Sequence, residues 1–167
     1  APKEAVRPQK ARIVEMNRVI THAWEEILRP MLKRPPRLQV AALCYRKNGD
    51  DTDVLMITSR GSGRWILPKG WPMDGKNGAQ SALQEAWEEA GVKRAEVLGA
   101  PIGRYEYDKR LAYGVEERVE TLVYSAKVVE LSPDYPERHQ RKRKWMRAAA
   151  AANKVQEPQL KALLRQL

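Results

Sequence analysis

Cysteine and histidine are scarce in this chain of 167 residues, and each scarcity excludes something. The single cysteine, Cys44, rules out an internal disulfide. It sits in an apolar stretch and is expected to be a buried thiol. His22 and His139 stand alone, without the partner spacing of metal ligands, and read as surface or helix-packing residues. No apolar run approaches the roughly 20 residues of a membrane span. The first residues lack the apolar core of a secretory signal. No internal repeat is present. These absences predict a cytoplasmic protein with no membrane partner.

Charge, by contrast, is plentiful. The composition is 43% hydrophobic and 31% charged, that of a soluble globular protein. Its length suits one domain with an added element. A net charge of +10 implies attraction to polyanions, whether a highly phosphorylated small molecule, nucleic acid or an acidic surface. The cations gather in the first 37 residues and again at Arg138, Arg141, Lys142, Arg143, Lys144 and Arg147. The N-terminal charges read as a solubilising surface, and nucleic acid is the less favoured partner.

Periodicity supplies a coarse map. Ile13, Met16, Ile20, Ala23, Trp24 and Ile27 recur at helical spacing, so Ala11 to Leu28 reads as an amphipathic helix stopped near Pro30. It either packs on the same core or contacts a second copy in a homodimer. Leu38–Arg46 and Val54–Ser59 read as a hairpin around Asn48-Gly-Asp-Asp. Trp65–Pro68, Ala95–Tyr107, Val119–Val129 and Lys144–Arg147 read as further strands. Ala148–Val155 and Gln159–Leu164 read as short helices, the alanines at 148–152 being good helix formers. The expectation is an α/β fold, with residues 1–36 as an N-terminal extension and 37–167 as the main domain.

The most informative segment runs from Gly70 to Val92. Asn77 is a good N-cap with Gln80 three residues on, and Gly91 fits the position that ends a helix in a left-handed conformation. Ala79, Ala82, Leu83, Ala86 and Ala90 make one small apolar stripe that lets the helix sit close to a sheet. Glu85, Glu88 and Glu89 lie at i, i+3 and i+4 on another face. Carboxylates that close repel unless a cation sits between them, and a hard divalent ion takes oxygen ligands. A glycine-rich loop leads straight into the cluster. The pattern suits a metal held together with a phosphorylated substrate.

In Gly70, Glu85, Ala86, Glu88, Glu89, Gly91 and Val92 this segment resembles the Nudix box, the signature of the Nudix hydrolases. Lys76 stands where that pattern has Glu, and Gln84 where it has Arg. The resemblance covers roughly residues 37 to 165. It implies the α/β/α sandwich of the Nudix fold, with a mixed sheet, and metal-dependent hydrolysis of a pyrophosphate bond. It also implies Gly70, Glu85 and Glu89 as ligands of Mg²⁺ (or Mn²⁺), and Glu88 as a further ligand or the general base. Glu116, Glu117 and Glu120 are candidate bases from outside the box.

Substrate choice rests on other residues. Arg60, Arg64 and Lys69 flank the strand entering the box and are candidate phosphate ligands. Lys76 puts a cation where the pattern has a carboxylate. The Arg141-Lys-Arg-Lys-Trp-Met segment resembles the basic-aromatic stretch of diphosphoinositol polyphosphate phosphohydrolases, which makes Arg141 and Arg143 candidates too. Alternatively, that segment is a solvated turn before the last strand. Of the tryptophans, Trp71 is the one expected to be exposed, and Trp65 and Trp145 to be packed. The resemblance implies a diphosphoinositol polyphosphate or dinucleoside polyphosphate as substrate. Against it stand hydrolysis of ADP-ribose or of RNA 5′ ends, and a catalytically weak polyanion-binding module, which Lys76 and Gln84 motivate.

Overall fold

Strand β1, Arg37–Asn48, carries an unbroken apolar run from Val40 to Cys44, the mark of a strand covered on both faces. The computed structural model, which describes residues 36–167, places it at the centre of an eight-stranded mixed sheet. β1 pairs antiparallel with β2, Asp51–Thr58, and parallel with β7, Glu116–Leu131. β2 continues to β3, Trp65–Ile66, and to β8, Arg143–Arg147. β7 continues to β5, Val92–Val97, and to β6, Gly103–Arg110. β4 is the residue pair Lys69–Gly70, set beside Ala41 and Val40 of β1.

The period-2 alternation of strands sorts the side chains into two cores. Val40, Ala42 and Cys44 pack with Leu55, Ile57 and Tyr124 against helix α1, Gly78–Ala90. Ala41 and Leu43 pack with Val54, Met56 and Val123 against α2, Ala148–Lys154, and α3, Pro158–Leu164. This is the expected α/β/α sandwich. Ala79, Ala82, Ala86 and Ala90 are the buried stripe of α1. Ala82 and Ala86 are fully enclosed, so a larger side chain at either would overpack the layer at about 1–3 kcal/mol.

The ends of α1 are fixed by the residues the sequence singled out. The Asn77 side chain accepts from the Gln80 N–H at 2.8 Å, and Gln80 Oε1 accepts from the Asn77 N–H at 2.9 Å. Gly91 closes the helix at φ 68°, and its N–H donates to Trp87 and Ala86 carbonyls. A side chain there would also collide with Tyr135 and Arg143, which cover the helix end.

One strand is corrected. The stretch Ala95–Tyr107 is two strands, β5 and β6, interrupted from Leu98 to Ile102. Gly99 and Pro101 disfavour strand there, and Pro101 has no N–H for a ladder. The predicted helix over Ala11–Leu28 lies outside the described residues. No helix among the described residues is long and apolar enough to cross a membrane.

Candidate active site

Gly70 and α1 face each other because β4 runs along β1 where the helix packs. A Cβ on Gly70 would fall on the Glu85 carboxylate, so only glycine leaves that carboxylate room beside the loop backbone. Glu89, one turn on, is almost fully buried. Its Oε2 accepts from the Lys69 N–H at 2.9 Å, and its Oε1 accepts from the Arg141 guanidinium. Glu88 Oε1 accepts from the Gln84 amide at 2.7 Å. The carbonyl of Glu88 also accepts from the Glu137 N–H at 2.9 Å, which ties the loop before β8 to the helix.

Arg141 organises this cluster. Its side chain is 5% exposed, and its donors go to Glu89, to Glu137 Oε2 at 2.6 Å and to the Thr58 carbonyl at 3.1 Å. Burial of an arginine is tolerated when its fork is satisfied in this way. Arg141 is therefore turned inward as the countercharge of the glutamates. The sequence reading offers this residue as a phosphate ligand; here its donors go to protein groups.

Burial is the main influence on the Glu85 and Glu89 carboxyls, with neighbouring negative charge second at Glu85. Burial, reinforced by Glu89, Glu88 and Glu137, pushes the Glu85 carboxyl up to about 7. Burial also raises Glu89, against the pull of the Lys69 N–H and Arg141. Among the described residues no three or more His, Cys, Asp and Glu side chains gather closely enough to hold a metal ion as they stand. The donor set nevertheless fits a hard divalent cation. Two buried or half-buried carboxylates and the Gly70 backbone meet at one place, an all-oxygen donor set of the kind such an ion takes.

Across β4 lies a region of opposite sign. The Lys69 ammonium donates to Tyr107 Oη at 2.8 Å and reaches Gln39 Oε1 at 3.4 Å. The Tyr107 hydroxyl donates to Gln39 Oε1 at 2.6 Å. Burial, with Lys109 and Arg64 nearby, lowers Lys69 to about 8 even though Glu89 acts to raise it. Arg64 is held by Glu157 at 2.7 Å. Glu157 is buried, and its Oε2 has no hydrogen-bond partner. Trp71 lies between two cations, with the Arg37 guanidinium carbon 4.1 Å and the Lys109 ammonium 4.8 Å from its ring. It is half-buried rather than fully exposed. Lys69 thus serves both regions, its N–H on Glu89 and its ammonium in the cationic cleft.

The remaining sequence candidates are scattered. Arg60 is exposed and reaches Gln140 and Glu137. Arg143 donates to the carbonyls of Ala90 at 2.7 Å and Ser132 at 3.1 Å, under the Tyr135 ring, so it caps the end of α1 instead of facing the cleft. Lys76 is exposed and lines a groove on the outer side of α1. Glu116, Glu117 and Glu120 pair with Arg110, Arg37 and Arg104. Trp65 and Trp145 pack against the two cores, as expected. Cys44 is buried, and its thiol is pushed up to about 12.

Sequence reasoning missed Gln39, Tyr107, Lys109, Glu137 and Glu157. For Tyr107 and Lys109 a signal exists: they are two residues apart on β6 and so share a face.

Comparison with known proteins supplies the family. A family model described as the NUDIX domain matches residues 35–167. Diphosphoinositol polyphosphate phosphohydrolase 3-beta of Bos taurus is 31% identical over 120 residues, covering 71% of this chain and 68% of that protein. The 3-alpha protein of Homo sapiens is 32% identical with the same coverage of 71% and 68%. Among solved structures, the E. coli dihydroneopterin triphosphate pyrophosphohydrolase superposes with a TM-score of 0.59 at 19% identity, over 81% of this chain and 95% of that one. A C. elegans Ap4A hydrolase gives 0.56 at 20% identity, over 79% and 96%. The two structural likenesses concern the fold. The family model and the relatives establish that this chain belongs to the Nudix family, as a phosphohydrolase of pyrophosphate bonds.

Proposed function

We propose that the substrate is a highly phosphorylated small molecule, a diphosphoinositol polyphosphate or a dinucleoside polyphosphate. The observation that carries this reading is the junction at Lys69, where a carboxylate cluster and a cationic cleft share one residue. The cluster fits a divalent cation, and the cleft fits the phosphates beyond the bond to be cut. Lys69, Arg64 and Lys109 gather there, Arg64 paired with Glu157, and the remaining positive charge suits an anionic substrate. The names of the diphosphoinositol polyphosphate relatives support the same class.

In this reading Gly70, by its carbonyl, with Glu85 and Glu89 would hold Mg²⁺, with Mn²⁺ as a substitute. When bound, the ion neutralises phosphate charge and acidifies a water molecule. The chain's own residues do the rest. Arg141 and the Lys69 N–H fix the Glu89 carboxylate. Gln84 orients Glu88 through one oxygen, and the other oxygen of Glu88 serves as proton acceptor. Lys69, set by Tyr107 and Gln39, binds substrate phosphate, and Arg64, held by Glu157, assists it. Residues 37–167 form the hydrolase domain in this account, and residues 1–36 are an extension to it.

The test is phosphate and nucleotide release at fixed Mg²⁺ from diadenosine polyphosphates, inositol pyrophosphates, ADP-ribose and nucleoside triphosphates. Turnover of the first two, well above the others, is expected. Activity confined to ADP-ribose or triphosphates would keep the chemistry and discard this substrate class. Absence of turnover on every compound would favour the polyanion-binding module.

A further inference from the structure

The outer side of α1 carries a second feature, apart from the carboxylates. Gln80, Leu83, Gln84 and Trp87 recur at i, i+3, i+4 and i+7, so they form one stripe. At about 100° per residue this stripe points well away from Glu85 and Glu89. Between it and the start of β5 lies an open groove of about 480 Å³. Its cations are Lys76, Lys93 and Arg94, and no carboxylate lines it. Lys93 and Arg94 share one carboxylate, Glu130, at 2.8 and 3.8 Å. Lys76 has no ionic partner among the described residues. The groove is therefore net positive, beside an apolar floor that includes Leu83 and the half-buried Trp87.

We propose that this groove binds a nucleoside phosphate, at a site separate from the hydrolytic one. The phosphates lie on Lys76, Lys93 and Arg94, and the base lies against Trp87. Both halves of the surface contribute to recognition. Cations alone would suit any anion. A flat indole with an aliphatic neighbour suits a ring, because every nucleobase has a π-face that stacks on an aromatic side chain. The volume lies within the range of about 300–1,000 Å³ usual for small-molecule sites. The groove also holds Gln84, whose amide donates to Glu88, so its occupant adjoins the catalytic helix without touching the cleft.

The experiment is calorimetric titration of ADP into the full chain in EDTA, where nothing turns over. Binding is thus scored whether or not the hydrolase reading holds. The proposal predicts that Lys76→Glu and Trp87→Ala each weaken ADP binding at least fivefold. Lys69→Met removes a phosphate contact of the hydrolytic site, and ADP binding in the groove persists in that variant. Inorganic phosphate should bind at least tenfold more weakly than ADP. Thermal unfolding checks that Trp87→Ala still folds, and Lys76 is exposed, so its variant keeps the test decisive if Trp87→Ala does not. Three results would overturn the proposal. They are no binding up to millimolar ADP, affinity lost in Lys69→Met but kept in Lys76→Glu, and phosphate binding as tightly as ADP. The last would leave an unspecific charged face.

Discussion

Arg141 and Glu89, 52 positions apart in the chain, form a buried ion pair that places a guanidinium against the carboxylates of α1. Their side chains are 5% and 8% exposed, so neither charge is solvated by water. Removing one partner of such a pair typically costs about 3–5 kcal/mol, because the other charge is left uncompensated. Arg141→Gln should therefore lower stability by about 3 kcal/mol in urea unfolding without metal. Millimolar Mg²⁺ should restore part of that loss, since a cation bound only by the folded state stabilises it by mass action. A variant as stable as the parent in EDTA would show that the pair is not the countercharge described.

Glu85 sets a pH dependence. Its folded value of about 7 lies above the ordinary glutamate value of 4.5, so the folded chain holds a proton between those limits that the unfolded chain releases. The sign follows. This stabilising contribution is full below about 4.5 and is lost as pH rises through about 7. In EDTA, the parent should lose more thermal stability between pH 5 and 8 than Glu85→Gln does. Equal slopes for the two proteins would contradict the assignment. With metal present the ionised form is required, so Mg²⁺ affinity should fall as pH drops below about 7.

Lys69 and Lys109 flank Tyr107 and Trp71 in the cleft. Their loss should remove substrate binding more than chemistry. Lys109→Met is expected to raise KM about tenfold, on the order of 1.4 kcal/mol, with kcat within about twofold. Steady-state kinetics on a diadenosine polyphosphate measures this. A fall in kcat with KM unchanged would place Lys109 on the reacting atoms instead.

Gly70→Ala tests the close approach of loop and helix. The added methyl would occupy the place of the Glu85 carboxylate. Activity should fall by at least about 100-fold, on the order of 2.7 kcal/mol, with the circular dichroism spectrum unchanged. An active Gly70→Ala enzyme would mean that Glu85 works from another position.

What was readable in the sequence was local. The capping box of Asn77 and Gln80, the alanine stripe and the spacing of Glu85, Glu88 and Glu89 are set by one helix, and helical periodicity reports them directly. The central strand was equally plain, because Val40 to Cys44 is apolar on both faces. The partners of these residues were hidden because they arrive from distant strands. Nothing near Glu89 announces Arg141. The basic segment was legible as charge but not as direction. Burial alternates through the loop end and the start of β8, so Arg141 and Arg143 turn inward while Lys142 and Lys144 stay exposed. Reading Ala95–Tyr107 as one strand likewise concealed the register that brings Tyr107 and Lys109 to the cleft.

The most direct test of the account is Mg²⁺-dependent hydrolysis of an inositol pyrophosphate by the parent and by Glu89→Gln, side by side, with circular dichroism on both. The account predicts robust turnover by the parent and a loss of at least about 1,000-fold, on the order of 4 kcal/mol, in a folded variant. Hydrolysis by Glu89→Gln at the parent's rate would contradict it, and the metal and its carboxylates would have to be sought elsewhere in the chain.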